Sequence, residues 1–207
     1  MKIMDKFLSL PEEKQTTIRN AALQCFGKYG YEKASVNDIA TAAHISKASV
    51  FQYFGSKKQL YTYLLQYCSD IAVHAFNQEV LDEQADLFER IWVASKMKTA
   101  AFSQQPYASQ FIATAWAETA PEVHDLLESL KEYANNFRND LVLREDDKTK
   151  FKNPADAPLV FQMLLLMAEG YAARYRGAES FDFDTVMQEF EQIITMLRNN
   201  FYKEEFQ

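Results

Sequence analysis

Apolar residues recur at helical spacing along most of the chain, which predicts an all-α protein. The densest signal lies in residues 35–57, SVNDIATAAHISKASVFQYFGSK, where a first apolar set has the spacing i, i+3, i+4, i+7 and a second set ends at Phe54. The first set comprises Val36, Ile39, Ala40 and Ala43. Each set suits one face of a short helix.

Capping residues divide this stretch into two helices. Ser35 precedes Asp38 by three residues, which is a helix-start signal, and the hydroxyl of Ser46 is placed to cap a second helix. Only His44 and Ile45 then remain between the two. So short a connection predicts a helix-turn-helix with its second helix exposed for recognition.

Further helices are expected on both sides of this motif. The predicted spans are Pro11 to Gly30, Ser56 to about Val80, Asp86 to Ser103, Pro106 to about Glu118, Pro121 to about Leu143, Pro158 to Arg176 and Asp184 to Lys203. The charged stretch 144–156, REDDKTKFKNPAD, is expected to be a solvated loop. A three-helix head followed by a larger helical domain is therefore predicted.

Charge is unevenly divided along the chain. Residues 1–60 hold nine Lys and Arg against five acids, a net of +4, whereas the remainder holds 13 bases and 24 acids, a net of −11. A basic N-terminal quarter on an acidic protein indicates nucleic-acid contact confined to that quarter. The same acidity argues against a membrane partner for the rest.

The sequence offers little support for an enzyme or a metal site. The three histidines, His44, His74 and His124, lack metal-ligand spacing, and no cofactor motif is present, so no metal and no cofactor are predicted. Cys25 and Cys68 fall at apolar positions and are expected to be buried, reduced thiols. The N-terminus lacks the apolar core of a secretory signal, so a cytoplasmic protein is expected.

The N-terminal helix, the helix-turn-helix and the trailing YF-x-SK-x-x-L pattern resemble the TetR family of transcriptional regulators over about Pro11 to Tyr61. The resemblance implies a DNA-binding head in residues 1–55 and a ligand-binding and dimerisation domain in residues 56–207. It also implies a homodimer that contacts double-stranded operator DNA, with the last two long helices forming the dimer bundle. A small-molecule effector is expected to release a repressor of this kind from its operator.

Family positions carry over onto nine candidate DNA-binding residues. They are Ser35, Asn37, Ser46, Lys47, Ala48, Ser49, Gln52, Tyr53 and Lys57. Lys47 suits a guanine edge, and Gln52 suits either an adenine edge or a phosphate. Tyr53 and Lys57 match positions that hold phosphates. For Ser35 and Ser46, helix capping alone would also explain the residue.

Two positions depart from the family pattern. His44 stands where the turn usually has glycine, and histidine tolerates the left-handed conformation better than most residues. Phe51 stands where tyrosine is frequent and cannot donate a hydrogen bond to phosphate. Phe51 is therefore expected to pack mainly in the core, which leaves Tyr53 as the aromatic anchor.

The effector site is less well defined by the sequence. Aromatic and methionine side chains on the central helices are candidates for its lining: Trp92, Phe102, Tyr107, Phe111, Trp116, Met163, Met167 and Tyr171. They suit a flat or greasy effector, and the acidic balance would favour a cationic one, although each residue also fits simple core packing. An activator or co-regulator with the same head, and an all-α carrier or enzyme, remain alternatives.

Overall fold

The computed structural model describes residues 3–174 and 182–207, and within them the chain is all-α, as predicted. The helices are α1 (Ile3–Leu8), α2 (Glu12–Lys33), α3 (Val36–Ala42), α4 (Lys47–Phe54), α5 (Lys57–His74), α6 (Gln78–Asp82), α7 (Leu87–Ser103), α8 (Pro106–Trp116), α9 (His124–Val142), α10 (Asp156–Arg174) and α11 (Phe183–Phe201). Two short 3₁₀ helices, Glu145–Lys150 and Glu204–Phe206, and a single β-bridge between Phe151 and Tyr202 complete the described structure. The predicted end of the α10 helix at Arg176 lies outside the described residues.

The described chain divides into two compact units, each assembled from segments distant in sequence. The head unit comprises residues 3–71, 105–129 and 172–174, and the second unit comprises residues 72–104, 130–171 and 182–207. The head unit therefore includes more than the helix-turn-helix and its N-terminal helix. Its extra helix α8 packs along α2, and Thr114 Oγ1 donates a hydrogen bond of 2.6 Å to the carbonyl of Gly27.

Aromatic side chains form much of the head-unit core. Phe26 of α2 meets Tyr61 of α5 edge to face at 5.0 Å between ring centroids, and Phe111 of α8 meets Tyr61 at 5.2 Å. All three rings are almost fully buried. Such pairs add to the stabilisation from area burial by about 0.5–1.5 kcal/mol each. Cys25 and Cys68 are buried as expected, and burial raises the pKa of both thiols.

The largest departures from the predicted helices are an additional N-terminal helix and an earlier end of α5. The chain before Pro11 forms α1, which was not predicted, because the fully buried ring of Phe7 packs on Phe54 and Tyr63. The helix expected to run to Val80 ends at His74, since the side chain of Asn77 caps a new helix by accepting from the backbone of Glu79 and Val80.

The prediction of a solvated loop over residues 144–156 holds for the exposed residues 152–155 and was wrong for residues 145–151. Residues Glu145–Lys150 form a 3₁₀ helix, and the ring of Phe151 is fully buried. Asp147 is buried as well and forms an ion pair with Arg90 of α7. Charge density misled the prediction because it does not reveal which acid has a buried partner.

The second unit packs around helices α7, α9, α10 and α11. Its buried side chains include Phe88, Phe151 and Tyr202, whose rings form a cluster with centroid separations of 4.9–6.1 Å. Arg198 of α11 reaches across to Asp86, the N-cap residue of α7, at 3.1 Å. These contacts fix the end of α11 against the start of α7.

Candidate nucleic-acid interface

The turn of the helix-turn-helix is held by backbone and capping hydrogen bonds. Ser35 Oγ accepts from the backbone N–H of Asn37 and Asp38, and Ser46 Oγ accepts from Ser49 at 3.0 Å, as the sequence predicted. Between the helices, His44 has the predicted left-handed conformation, with φ of +54°. The connection is thus defined without a glycine.

Helix α4 has one buried face and one exposed face. Val50 and Phe54 are buried, whereas the side chains of Lys47, Ala48 and Gln52 are exposed. A helix whose exposed face starts with a lysine and continues with an amide suits base edges in a major groove. Lys47 and Gln52 lie five positions apart, and they project from the exposed part of α4.

The remaining candidates on the two short helices have mixed surroundings. Asn37 is exposed at the start of α3, whereas Ser35 is half-buried. The hydroxyls of Ser46 and Ser49 lie 2.8 Å apart, so part of their hydrogen-bonding capacity is already used within the protein. The capping roles of Ser35 and Ser46 are thus observed, and their contacts with DNA stay predictions.

The expectation that Phe51 packs in the core was wrong. Its side chain is 40% exposed, because the interior face of α4 is taken by Val50 and Phe54 at the spacing i, i+4. Tyr53 is half-buried instead, with its ring 6.3 Å from that of Phe7. The exposed ring of Phe51 therefore adds an apolar group to the surface of α4, one able to contact a thymine methyl.

Lys57, the first residue of α5, is held against the end of α2. Its Nζ donates a hydrogen bond of 3.1 Å to the carbonyl of Glu32 and lies 4.8 Å from the ring centroid of Tyr31. An ammonium group has three donors, so this position leaves donors for a phosphate. Contact with DNA would therefore be made from a lysine whose orientation the head already fixes.

The eight residues predicted for the effector site fall in different environments. In the head unit, Phe111 is part of the aromatic core, Trp116 is half-buried and Tyr107 is 38% exposed. In the second unit, Phe102 is buried and Met163 is 52% exposed. Three further residues are half-buried there: Trp92, Met167 and Tyr171.

A cavity of about 110 Å³ lies within the second unit, and none of those eight residues lines it. Its wall is apolar except for Ser95, Lys98 and Arg138. Burial, with a smaller contribution from the neighbouring guanidinium, lowers the pKa of Lys98 to about 8. Burial also lowers the pKa of Arg138, an effect that Glu169 opposes. The arrangement is an apolar chamber with two cationic groups.

Lys98 and Arg138 are functional candidates that the sequence-based prediction lacks. Aromatic and methionine residues are frequent in ligand sites, whereas a lysine on a helix is usually solvated. The available signal was the position of Lys98 seven residues after Ile91, one of the apolar residues of α7. That spacing places Lys98 on the inward face of the helix.

The structure shows neither a metal cluster nor a membrane span where it is described. Residues 3–174 and 182–207 contain no group of three His, Cys, Asp or Glu side chains placed to hold a metal ion. Over the same ranges, no helix is both long enough and apolar enough to cross a bilayer.

Comparisons with known proteins agree with the helix-turn-helix. Residues 18–64 match the model of a family described as bacterial regulatory proteins, tetR family. Over 134 residues, the chain is 27% identical to the HTH-type transcriptional repressor Rv1474c of Mycobacterium tuberculosis (strain ATCC 25618 / H37Rv). That match covers 62% of this chain and 71% of the repressor.

Two solved structures have the same fold across most of the chain. A TetR family transcriptional regulator from Chloroflexus aurantiacus J-10-FL superposes with a TM-score of 0.73 at 19% identity, covering 97% of this chain and 98% of its own. The regulator FadR from Bacillus subtilis, solved in complex with stearoyl-CoA, gives a TM-score of 0.67 at 13% identity, covering 86% and 96%. Similarity at these identities concerns the fold.

Proposed function

Since this chain belongs to the TetR family of transcriptional regulators, and is a regulator rather than an enzyme, we propose that it is a homodimeric repressor that a small-molecule effector releases from operator DNA. The observation that carries this proposal is helix α4, which buries Val50 and Phe54 and exposes Lys47 and Gln52. The similarity to a protein named as a repressor supports the direction of regulation. Such a regulator would act in the cytoplasm.

In this proposal, the sequence is read by α4 and the DNA backbone is held by residues around it. Lys47 donates to guanine, Gln52 pairs with adenine, and Ser49 contributes a hydroxyl at the same edge. Asn37, Tyr53 and Lys57 position the head by contacting phosphates, which carry no sequence information. Ala48 and the capping serines bring the backbone of α4 close to the groove.

Dimerisation is proposed through α10 and α11. Three apolar side chains on α10, Leu159, Met163 and Leu166, are each more than 50% exposed and follow the spacing i, i+4, i+7. On the same helix, a Cβ added at Gly170 would meet nothing within 4 Å. An apolar stripe of this kind is costly in water and is suited to a self-complementary interface.

Effector release is proposed to act through α5. Phe76 lines the cavity and follows the last residue of α5 by only two positions. A ligand that displaces Phe76 would therefore shift the end of the helix whose first residue is Lys57. The effector needs only to bind the DNA-incompetent state more tightly, by a few kcal/mol, to empty the operator.

The experiment that tests the proposal begins with selection of an operator from random duplex DNA by the purified protein. Fluorescence anisotropy then compares the wild type with Lys47→Ala and Tyr53→Phe. Tyr53→Phe keeps the ring packing on Phe7 and removes only the hydroxyl. We expect Lys47→Ala to weaken specific binding about 10- to 100-fold, in line with the ~1–3 kcal/mol of a bidentate base contact.

The matched control is Lys96→Ala, which removes an exposed lysine of the second unit and should leave the affinity unchanged. If each head contacts about four phosphates, the log–log salt slope should be near −7. A slope near zero, or equal affinity for Lys47→Ala and the wild type, would contradict the proposal. Deletion of the gene should raise transcription from the selected operator, and a fall would identify an activator instead.

A further inference from the structure

The cavity of the second unit has a charge opposite to that of the domain around it. The second unit holds 11 Lys and Arg against 18 Asp and Glu, a net of −7, and yet the charged groups that line the cavity are Lys98 and Arg138, with no acidic side chain among the lining residues. The excess of acids therefore lies elsewhere in the domain. A cationic effector, which overall composition would favour, would meet two cations here.

Lys98 has no acidic partner in the described part of the chain. No ion pair or hydrogen bond of its ammonium group occurs there, whereas Lys148 and Arg198, for example, each have a carboxylate within 4.0 Å. Arg138 differs from Lys98, because it donates to Asn135 Oδ1 at 3.2 Å and is influenced by Glu169. Lys98 is thus the group in the cavity that a ligand could complement.

Lys98 is half-buried in the wall of the cavity, and a lysine that is partly desolvated without a counter-ion destabilises the folded protein. An apolar residue of similar length would fill the same space without that cost. A bound anion would remove the cost by supplying the missing negative charge, and hydrogen bonds to charged groups contribute about 1.5–3 kcal/mol. At neutral pH the ammonium is still mostly protonated, because its pKa is about 8.

The rest of the cavity limits the ligand to a small apolar body. Phe76, Leu141, Phe161, Leu164 and Phe190 supply most of the wall. The volume of about 110 Å³ is somewhat below the ~150 Å³ of an engineered cavity that accepts benzene. The cavity therefore limits the apolar body of the ligand to about six carbons or fewer.

We infer that the effector is a small acid with an apolar tail, whose carboxylate is bound by Lys98 beside Arg138 and whose tail lies among the phenylalanine and leucine side chains. The inference rests on the proposed function and adds the chemical class of the effector. The carboxylate supplies the acceptors that Lys98 lacks, and the tail takes up the apolar volume. Neutral or cationic molecules of the same size are excluded as preferred ligands.

The test uses isothermal titration calorimetry on the full chain at pH 7, with sodium hexanoate and its uncharged counterpart 1-hexanol. Hexanoate should bind once per chain, and 1-hexanol at least tenfold more weakly. Lys98→Met should weaken hexanoate binding at least tenfold and leave 1-hexanol within about twofold, in line with the loss of a charged hydrogen bond. Lys98→Arg, which keeps the charge, should retain most of the affinity.

Lys96→Met is the matched control, because Lys96 is an exposed lysine on the same helix. It should bind hexanoate as the wild type does. Absence of hexanoate binding, equal binding of hexanoate and 1-hexanol, or unchanged binding in Lys98→Met would each overturn the inference. The same preparations are tested on the selected DNA: a protein that binds DNA and ignores hexanoate overturns the inference alone, whereas failure of specific DNA binding overturns the proposed function.

Discussion

Glu118 Oε2 accepts a hydrogen bond of 2.6 Å from the backbone N–H of Tyr31, 87 residues earlier in the chain. Its other oxygen accepts from the backbone N–H groups of Thr119 and Ala120, at 2.9 and 3.0 Å. The carboxylate is buried, and these three backbone N–H groups supply the hydrogen bonds that water would otherwise provide. It stabilises the kink of α2 at Gly30, three residues before the helix ends, where φ is +73° and ψ is 177°, a conformation almost restricted to glycine.

This relationship predicts that Gly30 and Glu118 are both intolerant of substitution. A Cβ at Gly30 would lie 2.8 Å from Glu118 Oε2, so Gly30→Ala should destabilise the fold by about 1–3 kcal/mol. Glu118→Ala leaves three backbone donors without their acceptor and should cost about 2–4 kcal/mol. Urea denaturation followed by circular dichroism measures both changes.

Tyr31→Phe is the control for these variants. Burial, together with Glu122, raises the pKa of Tyr31, so its hydroxyl stays protonated and donates to Glu122 Oε2 at 2.6 Å. Since Glu122 is exposed, water can replace this hydrogen bond, and Tyr31→Phe should lower the free energy of unfolding by about 0.5–1.5 kcal/mol. A smaller cost for Glu118→Ala than for Tyr31→Phe would show that the carboxylate does not hold the kink of α2.

The exposed stripe of α10 predicts the oligomeric state. Leu166→Glu places a charge in the proposed interface and should convert a dimer into a monomer, because a buried charge without a partner opposes association. Sedimentation velocity measures the change. Leu8→Glu is the control, since Leu8 is 56% exposed and Leu166 is 59% exposed. If both variants sediment as the wild type does, the dimer uses a different surface.

The buried ion pair between Arg90 and Asp147 predicts that substitution of Asp147 lowers the free energy of unfolding strongly, although this residue lies in a charge-rich segment. The two side chains are 1% and 2% exposed, and Arg90 also donates to the carbonyls of Val142 and Gln84. Asp147→Asn leaves the buried guanidinium without its counter-charge and should cost about 3–5 kcal/mol. Glu145→Gln breaks an exposed pair with Lys148 and should cost less than about 1 kcal/mol. Thermal and urea unfolding compare the two, and similar costs would contradict the prediction.

The sequence-based predictions were right where interactions between near neighbours decide the structure, and wrong where contacts between distant residues decide it. The caps at Ser35 and Ser46 and the left-handed His44 depend on neighbours within a few residues, and the burial of both cysteines follows from the apolar face of one helix; all were predicted. The pairing of Arg90 with Asp147 joins positions 57 residues apart, and a charge-rich segment gives no sign of it.

The candidate sites show the same division. The exposure of Lys47 and Gln52 follows from the period of one helix, and the sequence gives that period directly. The prediction for Phe51 was wrong because hydrophobic character alone does not tell which of the adjacent apolar residues Val50 and Phe51 faces the core. The cavity around Lys98 depends on how α7, α9, α10 and α11 pack, and no local pattern encodes that packing.

Phe76 is predicted to couple ligand binding to DNA release, so that its substitution separates the two. Phe76→Ala should leave the unliganded protein able to bind its operator within about threefold, whereas hexanoate should no longer release the DNA, because the side chain that joins the cavity to α5 has been removed. Anisotropy with labelled operator measures release, and calorimetry confirms that the ligand still binds. Leu165→Ala is the control, because Leu165 lines the same cavity but lies far from α5 in sequence; hexanoate should still release DNA from this variant. Equal release by both variants would contradict a role for Phe76.

Lys98 predicts a stability that depends on pH. The charged groups that face it are Arg138 from α9 and, beyond that, Glu169 of α10, while α11 contributes the apolar ring of Phe190. The folded pKa of about 8 lies below the ordinary 10.5, so the unfolded chain holds its proton to higher pH. The cost of burying the charge is therefore complete below pH 8 and disappears as the pH rises toward 10.5.

Lys98→Met should accordingly stabilise the unliganded protein at pH 7, by roughly 3 kcal/mol at most. The gain should shrink to about a quarter of this value at pH 10, where the lysine of the folded protein is neutral and that of the unfolded chain is still mostly protonated. Urea denaturation of both proteins at the two pH values measures it, and groups common to both chains cancel in the difference. The exposed Lys96→Met should show no gain at either pH. A gain from Lys98→Met that is equal at pH 7 and pH 10 would mean that the ammonium group is not desolvated in the cavity.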